Sequence, residues 1–282
     1  MRSIIMRFIA LILIIALGGA GYYLLTPKGR QLIDRIHVNI TRADNLARFR
    51  AGAPLPGTPD LARLDHRLSA HGVSLGVPVF IRIFKLESEL ELWVKKDGGF
   101  ARFATYPICL WSGRLGPKLK EGDRQAPEGF YTVDSDALNP NSRMHRSFNL
   151  GFPNAYDQAH GRTGSFLMVH GGCASIGCFA VTDPVVDEIW RLVTAALDKG
   201  QPRFAVHVFP FRMSERNLRL RLGHPWESFW ANLKKGYDLF EQTRVPPVAV
   251  VCQRRYAFEP SSIDSATPPV EERCPAEIAD LE

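Results

Sequence analysis

The stretch SFLMVHGGCASIGCFAVTD, residues 165–183, combines an apolar run, a glycine-rich turn and the start of a helix. The apolar run is typical of a strand and ends at His170, and Cys178 follows eight positions later with three glycines between them. A cysteine nucleophile needs a neighbouring imidazole to take the thiol proton and backbone N–H groups aimed at the developing oxyanion. Imidazolium and the amide dipoles would also favour the thiolate. The stretch therefore predicts a catalytic pair of Cys178 and His170.

Three other interpretations of these residues stay open. His170, Cys173 and Cys178 could bind a metal ion, although the spacing offers no clear fourth ligand. Cys173 and Cys178 could form a disulfide, which would silence the site. His170 could also be a core histidine with its hydrogen bonds satisfied.

The sequence around this stretch predicts a mainly β core. Alternating runs at 79–84 and 90–96, a turn at Asp97-Gly98-Gly99 and a further run at 100–108 are typical of hairpins. Additional strands are expected at 129–133, 147–150 and 204–209. After the motif stretch, a helix should run from Asp183 to Gly200 with a proline in its first turn. The fold class is therefore α+β.

The N-terminus carries an uncharged, apolar segment of 18 residues from Phe8 to Leu25, preceded by two arginines. This length is about the minimum for spanning a bilayer, and small residues near its end also fit a signal-peptidase site. Either interpretation exports the rest of the chain. We therefore expect an inner-membrane anchor or signal segment at 1–25, and a catalytic domain in the periplasm.

The remaining chain is predicted to comprise four parts. Residues 26–57 mix charged residues with Gly and Pro and indicate a stalk, and the catalytic domain follows at 58–210. Aromatic residues at helical spacing predict a helical C-terminal extension at 211–259. The acidic, Pro-rich tail at 260–282 is expected to be disordered.

Composition and cysteine count limit the possible functions. A hydrophobic fraction of 45% is typical of a globular protein, and the net charge of +6 favours anionic neighbours, including a carboxylate-rich wall polymer. Nucleic acid is not an expected partner, because no basic run with interleaved aromatics occurs. The five cysteines are an odd number, so one thiol is expected to be unpaired or to pair between chains. Cys252 and Cys274 could form a bridge, whereas Cys109 is expected to be a buried thiol.

The motif residues resemble a known enzyme family. His170-Gly171 and Ser175-Ile176-Gly177-Cys178 are similar to the H-G and S-H-G-C elements of the L,D-transpeptidase catalytic family, also called YkuD-like. Upstream, EGDRQAPEGFY at 121–131 is similar to that family's E-G-x-T-P-x-G-x-F/Y element. The resemblance covers about residues 79–210. The short spacing from histidine to cysteine, the run LNPNSRMHRSFNLGFPNAYD and the aromatic C-terminal stretch are more similar to the YafK-type branch.

This resemblance implies that Cys178 is the nucleophile and His170 the general base and acid, with the Gly171 carbonyl holding the imidazole in its working tautomer. The backbone N–H groups of Gly177 and Cys178 would form the oxyanion hole. The implied donor is a peptidoglycan stem tetrapeptide. The cysteine attacks the carbonyl of meso-diaminopimelate, expels D-Ala and forms a thioester that an amine resolves. No metal or organic cofactor is implied.

Two positions depart from the family pattern. Ile176 replaces the motif histidine before the nucleophile, and Ala180 replaces an arginine after it. Loss of the arginine removes a partner for a substrate carboxylate. An alternative is therefore an amide hydrolase that releases a lipoprotein from peptidoglycan diaminopimelate, as the YafK-type branch implies. A second alternative is a catalytically silent wall-binding module.

Three flanking polar residues are candidate contacts to stem-peptide carboxylates and amides. They are Arg124, Arg143 and Asn149. His145 and His160 lie in polar segments and are expected at the surface.

Overall fold

The structure is a computed structural model that describes residues 23–24 and 26–275. The apolar segment expected to act as an anchor lies almost entirely outside these residues. Within the described ranges, no helix combines the length and the apolar character that crossing a membrane requires.

Five strands form the first sheet, in the order β3-β2-β1-β10-β5. Their bounds are β1 (Val79–Phe84), β2 (Glu89–Lys96), β3 (Gly99–Pro107), β5 (Gly129–Val133) and β10 (Phe204–Phe209). Because side chains alternate along a strand, β1 directs Ile81 and Ile83 to one core cluster and Phe80 and Phe84 to others. The first sheet is therefore covered on both faces, and the strands predicted at these positions are confirmed.

The second sheet also has five strands, in the order β4-β9-β8-β7-β6. They are β4 (Leu110–Trp111), β6 (Leu138–Ser142), β7 (His145–Asn149), β8 (Met168–His170) and β9 (Phe179–Ala180). β8 is shorter than the predicted run because Phe166 has a φ of 54°, outside the extended region. The central strands β8 and β9 are parallel, and the glycine-rich turn joins them.

Helices and a hairpin complete the fold. The helices are α1 (Pro27–Arg50), α2 (Leu64–Ala70), α3 (Ala155–Ala159), α4 (Asp183–Asp198), α5 (Glu215–Arg219) and α6 (Glu227–Thr243), with 3-10 turns at Leu61–Arg63 and Ser135–Ala137. The hairpin consists of β11 (Val248–Cys252) and β12 (Arg255–Glu259). α4 and the second sheet pack on one face of the first sheet, and α6 and the hairpin pack on the other. The α+β class is confirmed.

The segment expected to be a stalk is instead mostly the helix α1, which packs on the domain. Its contacts are largely polar: Asp34 accepts two hydrogen bonds from Arg221, both 2.9 Å long, and the Asn45 amide donates to the Ile108 carbonyl at 3.0 Å. The stalk prediction is wrong for 27–50. A helix held mainly by polar contacts to residues far away in sequence shows no strong apolar periodicity, so the local pattern did not reveal it.

The C-terminal part also differs from the prediction. The aromatic stripe forms α6 as expected, but 248–259 form the β11–β12 hairpin and not a helix. Residues 271–273 lie along β11, with the Val251 N–H donating to the Glu271 carbonyl at 2.8 Å, and Cys252 is bridged to Cys274. The prediction of disorder is therefore wrong for 271–274.

Candidate active site

The pairing of β8 with β9 determines where the two predicted catalytic side chains lie. His170 is the partner of Ala180, and Val169 is the partner of Phe179. Val169 and Phe179 are fully buried in the main core. Because alternate residues of a strand share a face, His170 points to the opposite face of the sheet, and Cys178, directly before β9, is expected on that face as well.

A carbonyl group fixes the orientation of the His170 ring. Nδ1 lies 2.6 Å from the Gly171 carbonyl oxygen, which can only accept, so Nδ1 carries a proton. In the neutral ring Nε2 is then unprotonated and can accept a proton. Burial lowers the pKa of His170, while the hydrogen bond to Gly171 opposes this shift. The neutral, proton-accepting form is thus favoured at neutral pH.

The Cys178 thiol is half-buried beside β8. Its Sγ accepts from the Met168 N–H at 3.4 Å and lies 3.7 Å from the Phe166 carbonyl oxygen. Burial raises the pKa of Cys178, and the Met168 amide and the charge of Lys118 only partly oppose this shift. Desolvation thus outweighs the nearby dipoles, and both shifts favour a neutral thiol and a neutral imidazole over the stabilised thiolate that the sequence suggested.

Ser175, which the sequence analysis gave no role, organises the backbone before the nucleophile. Its Oγ donates to the Cys178 carbonyl at 2.8 Å and accepts from the Gly177 N–H at 3.2 Å. The same hydroxyl lies 3.2 Å from the hydroxyl oxygen of Ser112. Gly177 has a φ of 147°, and a Cβ there would lie 2.9 Å from the Leu167 side chain, so this turn requires glycine. In the sequence, the serine of the S-I-G-C motif was the signal from which this role of Ser175 could have been predicted.

A disulfide links the glycine-rich turn to the segment before β4. Cys109 is bonded to Cys173, and among the described cysteines Cys178 has the free thiol. Cys109 is buried as expected, although its sulfur is bonded and not free, and the alternative bridge between Cys173 and Cys178 is wrong. The metal set of His170, Cys173 and Cys178 is not assembled, because the Cys173 sulfur is taken. In the described ranges, no group of three His, Cys, Asp or Glu residues is arranged to hold a metal ion.

Asp183 supports the turn from the other side. Its Oδ1 accepts from the Gly172 N–H at 2.7 Å, and α4 begins at this residue as predicted. A Cβ at Gly171 would lie 2.5 Å from the same oxygen, which explains why glycine follows the histidine.

The loop between β4 and β5 forms another wall of the site. Lys118 is buried and donates to Asp123 at 2.6 Å and to the Lys120 carbonyl at 2.9 Å. Asp123 also accepts from backbone N–H groups, which together with Lys118 lower its pKa despite its partial burial. This ion pair holds the loop in place and directs positive charge towards Cys178.

The three predicted substrate contacts are not gathered around the thiol by any hydrogen bond of the described chain. Arg124 and Arg143 have exposed side chains, in the loop after Asp123 and in the turn between β6 and β7. The side-chain Oδ1 of Asn149 accepts from the Gly151 N–H at 3.1 Å and stabilises the turn after β7. His145 and His160 are exposed, as expected.

A buried ion pair beneath the loops was missed in the sequence. Lys85 and Glu128 are both fully buried, with Nζ and Oε1 2.9 Å apart. Nζ also donates to the carbonyls of Gly116 and Ala126, at 2.7 and 3.0 Å. The Glu128 carboxylate accepts from the Gly116 N–H at 2.7 Å and from Trp230 Nε1 at 2.8 Å. The pair thus joins the two ends of the loop that carries Lys118.

A thiol and an oriented imidazole on one face of a small sheet define a candidate site for thiol-dependent acyl transfer. Residues 81–208 match the model of the YkuD family, the L,D-transpeptidase catalytic domain. The chain belongs to this family. At the family level it is a peptidoglycan-related enzyme.

Relatives of known sequence support this assignment. The L,D-transpeptidase YafK of Escherichia coli (strain K12), whose own name marks the activity as provisional, is 49% identical over 182 residues. These residues are 64% of this chain and 74% of that protein. The protein of the same name from Escherichia coli O157:H7 matches with the same identity and coverage.

The solved structures that match this chain are more distant. The helical cell shape determining protein Pgp2 from Campylobacter jejuni matches with a TM-score of 0.39 and 20% identity, over 63% of this chain and 63% of that chain. Bd1075 from Bdellovibrio bacteriovorus matches with a TM-score of 0.35 and 14% identity, over 61% of this chain and 76% of that chain. No property of either protein is transferred to this chain at such similarity.

Proposed function

We propose that this protein cleaves an amide bond in peptidoglycan stem peptides through a thioester on Cys178, with His170 as general base and acid. The observation that carries the proposal is the β8–β9 register, in which both side chains lie on one face and Gly171 holds the imidazole in one tautomer. Family membership supplies the substrate class.

The proton balance follows from the neutral resting pair. Nε2 of His170 takes the Sγ proton as sulfur attacks the carbonyl carbon, and the carbonyl oxygen becomes an oxyanion. The Gly177 N–H already donates to Ser175, so we assign the Cys178 N–H as the main oxyanion donor. The tetrahedral intermediate then breaks its C–N bond, and the leaving amine takes the proton from Nε2. Nε2 then takes a proton from the amine or water that attacks the thioester carbonyl, the C–S bond breaks, and Nε2 returns the proton to sulfur.

The second step divides the proposal into two candidates. Transfer to an amine would make a cross-link, whereas transfer to water would hydrolyse the bond and release an attached lipoprotein. Ala180, which is fully buried, and Ile176, which is 77% exposed, offer no charge to a substrate carboxylate. The lack of a charged side chain at these two positions favours hydrolysis as the second candidate. Transfer to an amine requires an acceptor strand to bind, and the carboxylates of that strand would have no cationic partner there.

Export by the N-terminal segment is part of the same proposal, since the substrate lies outside the cytoplasm. We propose that residues 1–25 tether the domain to the inner membrane with the active site in the periplasm. Protease digestion of spheroplasts tests this arrangement. Degradation of the domain in intact spheroplasts is expected, and protection until lysis would contradict it.

The central experiment is mass spectrometry of muropeptides after incubation of the full chain with lipoprotein-bearing sacculi. Cys178→Ala and His170→Ala should each lower turnover by roughly 10⁴-fold or more while leaving the circular dichroism spectrum unchanged. His160→Ala is the matched control, because this histidine is exposed and its Nε2 is hydrogen-bonded to the Arg254 carbonyl at 2.8 Å. It should retain full turnover.

The products separate the candidates. Loss of D-Ala with new diaminopimelate cross-links would identify a transpeptidase, and released lipoprotein with intact tetrapeptides would identify a hydrolase. If wild type and Cys178→Ala give the same muropeptides, the enzyme proposal is rejected in favour of a silent wall-binding module.

A further inference from the structure

A cationic cavity lies on the side of the site where α1 packs. It has a volume of ≈ 390 Å³ and is bounded by α1, the segment after β4 and the turn before α6. Four cations contribute to its wall: Lys28, Arg35, Arg42 and Arg114. None of them forms an ion pair with an acidic side chain in the described part of the chain.

The acidic group in the wall does not neutralise these cations. Asp34 accepts both hydrogen bonds of Arg221 at 2.9 Å, and Arg30 lies 3.5 Å from the same carboxylate. His224 is also in the wall, and burial lowers its pKa, so it is neutral at pH 7. The cavity therefore has a net positive charge.

The Arg42 guanidinium is held in place by its neighbours and is suited to bind an anion. Its guanidinium stacks 4.1 Å above the Trp111 ring, and Nη2 donates to the Gly113 carbonyl at 3.1 Å. Its Nε is buried without an acceptor, and burial lowers the pKa of Arg42 to about 10. A partly desolvated cation without an acidic partner gains more from a bound anion than an exposed one does.

The inner end of the cavity adjoins the nucleophile segment. Gly113, in the wall, follows Ser112, whose hydroxyl is hydrogen-bonded to Ser175. The backbone of Arg114 is bonded twice to the Gln125 side chain, at 2.8 and 2.6 Å, and the Gln125 carbonyl faces Gly177. From this end the wall follows α1 back to Lys28, about 21 Å at 1.5 Å per residue. An extended chain leaving the active site can lie along it.

We infer that this cavity is a remote subsite for the carboxylate-bearing peptide chain of peptidoglycan. Arg42 and Arg114 take carboxylates near the scissile bond, and Lys28 and Arg35 take those further along the chain. The ring of Trp226, also in the wall, packs against apolar atoms of the bound chain. The inference rests on the proposed function, because that function supplies the acidic polymer.

Equilibrium binding to the full chain carrying Cys178→Ala tests the subsite without turnover. The probe is a soluble disaccharide-tetrapeptide muropeptide, compared with the same muropeptide after its carboxylates are converted to amides. Arg35→Glu and Arg114→Glu should each raise Kd about tenfold, the value of one modest charge-assisted hydrogen bond. Arg50→Glu is the matched control, because it is exposed on the same helix outside the cavity, and it should leave Kd unchanged. The amidated probe loses both contacts, so it should bind about a hundredfold more weakly to the parent and should not distinguish the variants.

Equal Kd values for all three variants would overturn the subsite. A lipid headgroup as the occupant would also overturn the subsite. In that case the cavity variants would lose binding to phosphatidylglycerol vesicles, relative to Arg50→Glu, while keeping their muropeptide affinity. Turnover of the same muropeptide by the otherwise wild-type chain separates this inference from the proposed function. Charge-dependent binding without turnover rejects the function and retains the subsite. Cys178-dependent turnover with equal Kd values rejects the subsite and retains the function.

Discussion

Replacing Lys85 by methionine should destabilise the fold strongly, because Lys85 is fully buried and its Nζ donates to three oxygens. Methionine fills a similar volume but leaves the Glu128 carboxylate buried without its cation, and two carbonyls lose a donor. Breaking a buried ion pair in this way costs about 3–5 kcal/mol. For a domain of this size, 1 kcal/mol corresponds to about 2–4 °C, so Tm should fall by about 6–20 °C.

The assay is thermal and urea unfolding of the full chain with its disulfides intact, followed by tryptophan fluorescence. Lys95→Met is the matched control, since Lys95 is paired at 2.5 Å with Asp264, whose side chain is 81% exposed. Loss of such a surface pair should cost less than about 1 kcal/mol. Adding Glu128→Gln to Lys85→Met should restore part of the lost stability, because it removes the stranded charge.

A loss below about 1 kcal/mol for Lys85→Met would refute the reasoning, because it would mean that the Glu128 carboxylate is readily solvated or neutralised at this position. The pair also joins Gly116 to the backbone at Ala126, at the two ends of the loop that contacts the active site. A folded Lys85→Met variant should therefore also lose activity. The double variant would then show whether the loop needs the ion pair or only a well-packed side chain.

Three further predictions concern pH and disulfides. The acid limb of kcat/KM should have its midpoint below the ordinary histidine value of 6.5, because burial lowers the pKa of the base His170; a midpoint at or above 6.5, measured between about pH 5 and 8, would exclude it as the titrating base. Cys109→Ala with Cys173→Ala should cost about 4 kcal/mol in urea unfolding, as expected for opening a loop of 64 residues, and should also lower kcat; an unchanged kcat would show that the bridge does not position the turn. The free energy of unfolding should fall as the pH drops below 6.5, because fully buried His207 has a strongly lowered pKa and the unfolded chain binds its proton first. His207→Phe should reduce that slope by up to about 1.4 kcal/mol per pH unit, and an unchanged slope would contradict this assignment.

The parts that the sequence predicted correctly are those encoded locally. The three antiparallel strands at 79–107 show their alternation and their turn within one stretch, and α4 shows its helical spacing between a proline and a glycine. The motif stretch likewise contains the histidine, the glycines and the cysteine within a few residues. Local patterns therefore sufficed for the main strands and for the two residues that we propose as catalytic.

The features that were missed depend on partners far apart in the chain. Asp34 and Arg221 are separated by 187 positions, and Cys109 and Cys173 by 64, so spacing alone reveals neither pair. The direction of the Cys178 pKa shift was missed for a related reason. It depends on how much of the folded chain covers the sulfur, and no local pattern specifies that burial.

The contacts of α1 determine how this helix is held against the rest of the domain. Asn45 and Arg42 donate to carbonyls on either side of β4, and the Cys109–Cys173 bridge continues from that strand to the glycine-rich turn. A stalk would leave the domain free to move relative to residues 27–50. Instead, the hydrogen bonds on either side of β4 fix the orientation of α1 against the domain. A chain shortened to begin at residue 58 would lose these contacts and would have an open cationic cavity. The helix is thus best regarded as part of the active-site scaffold.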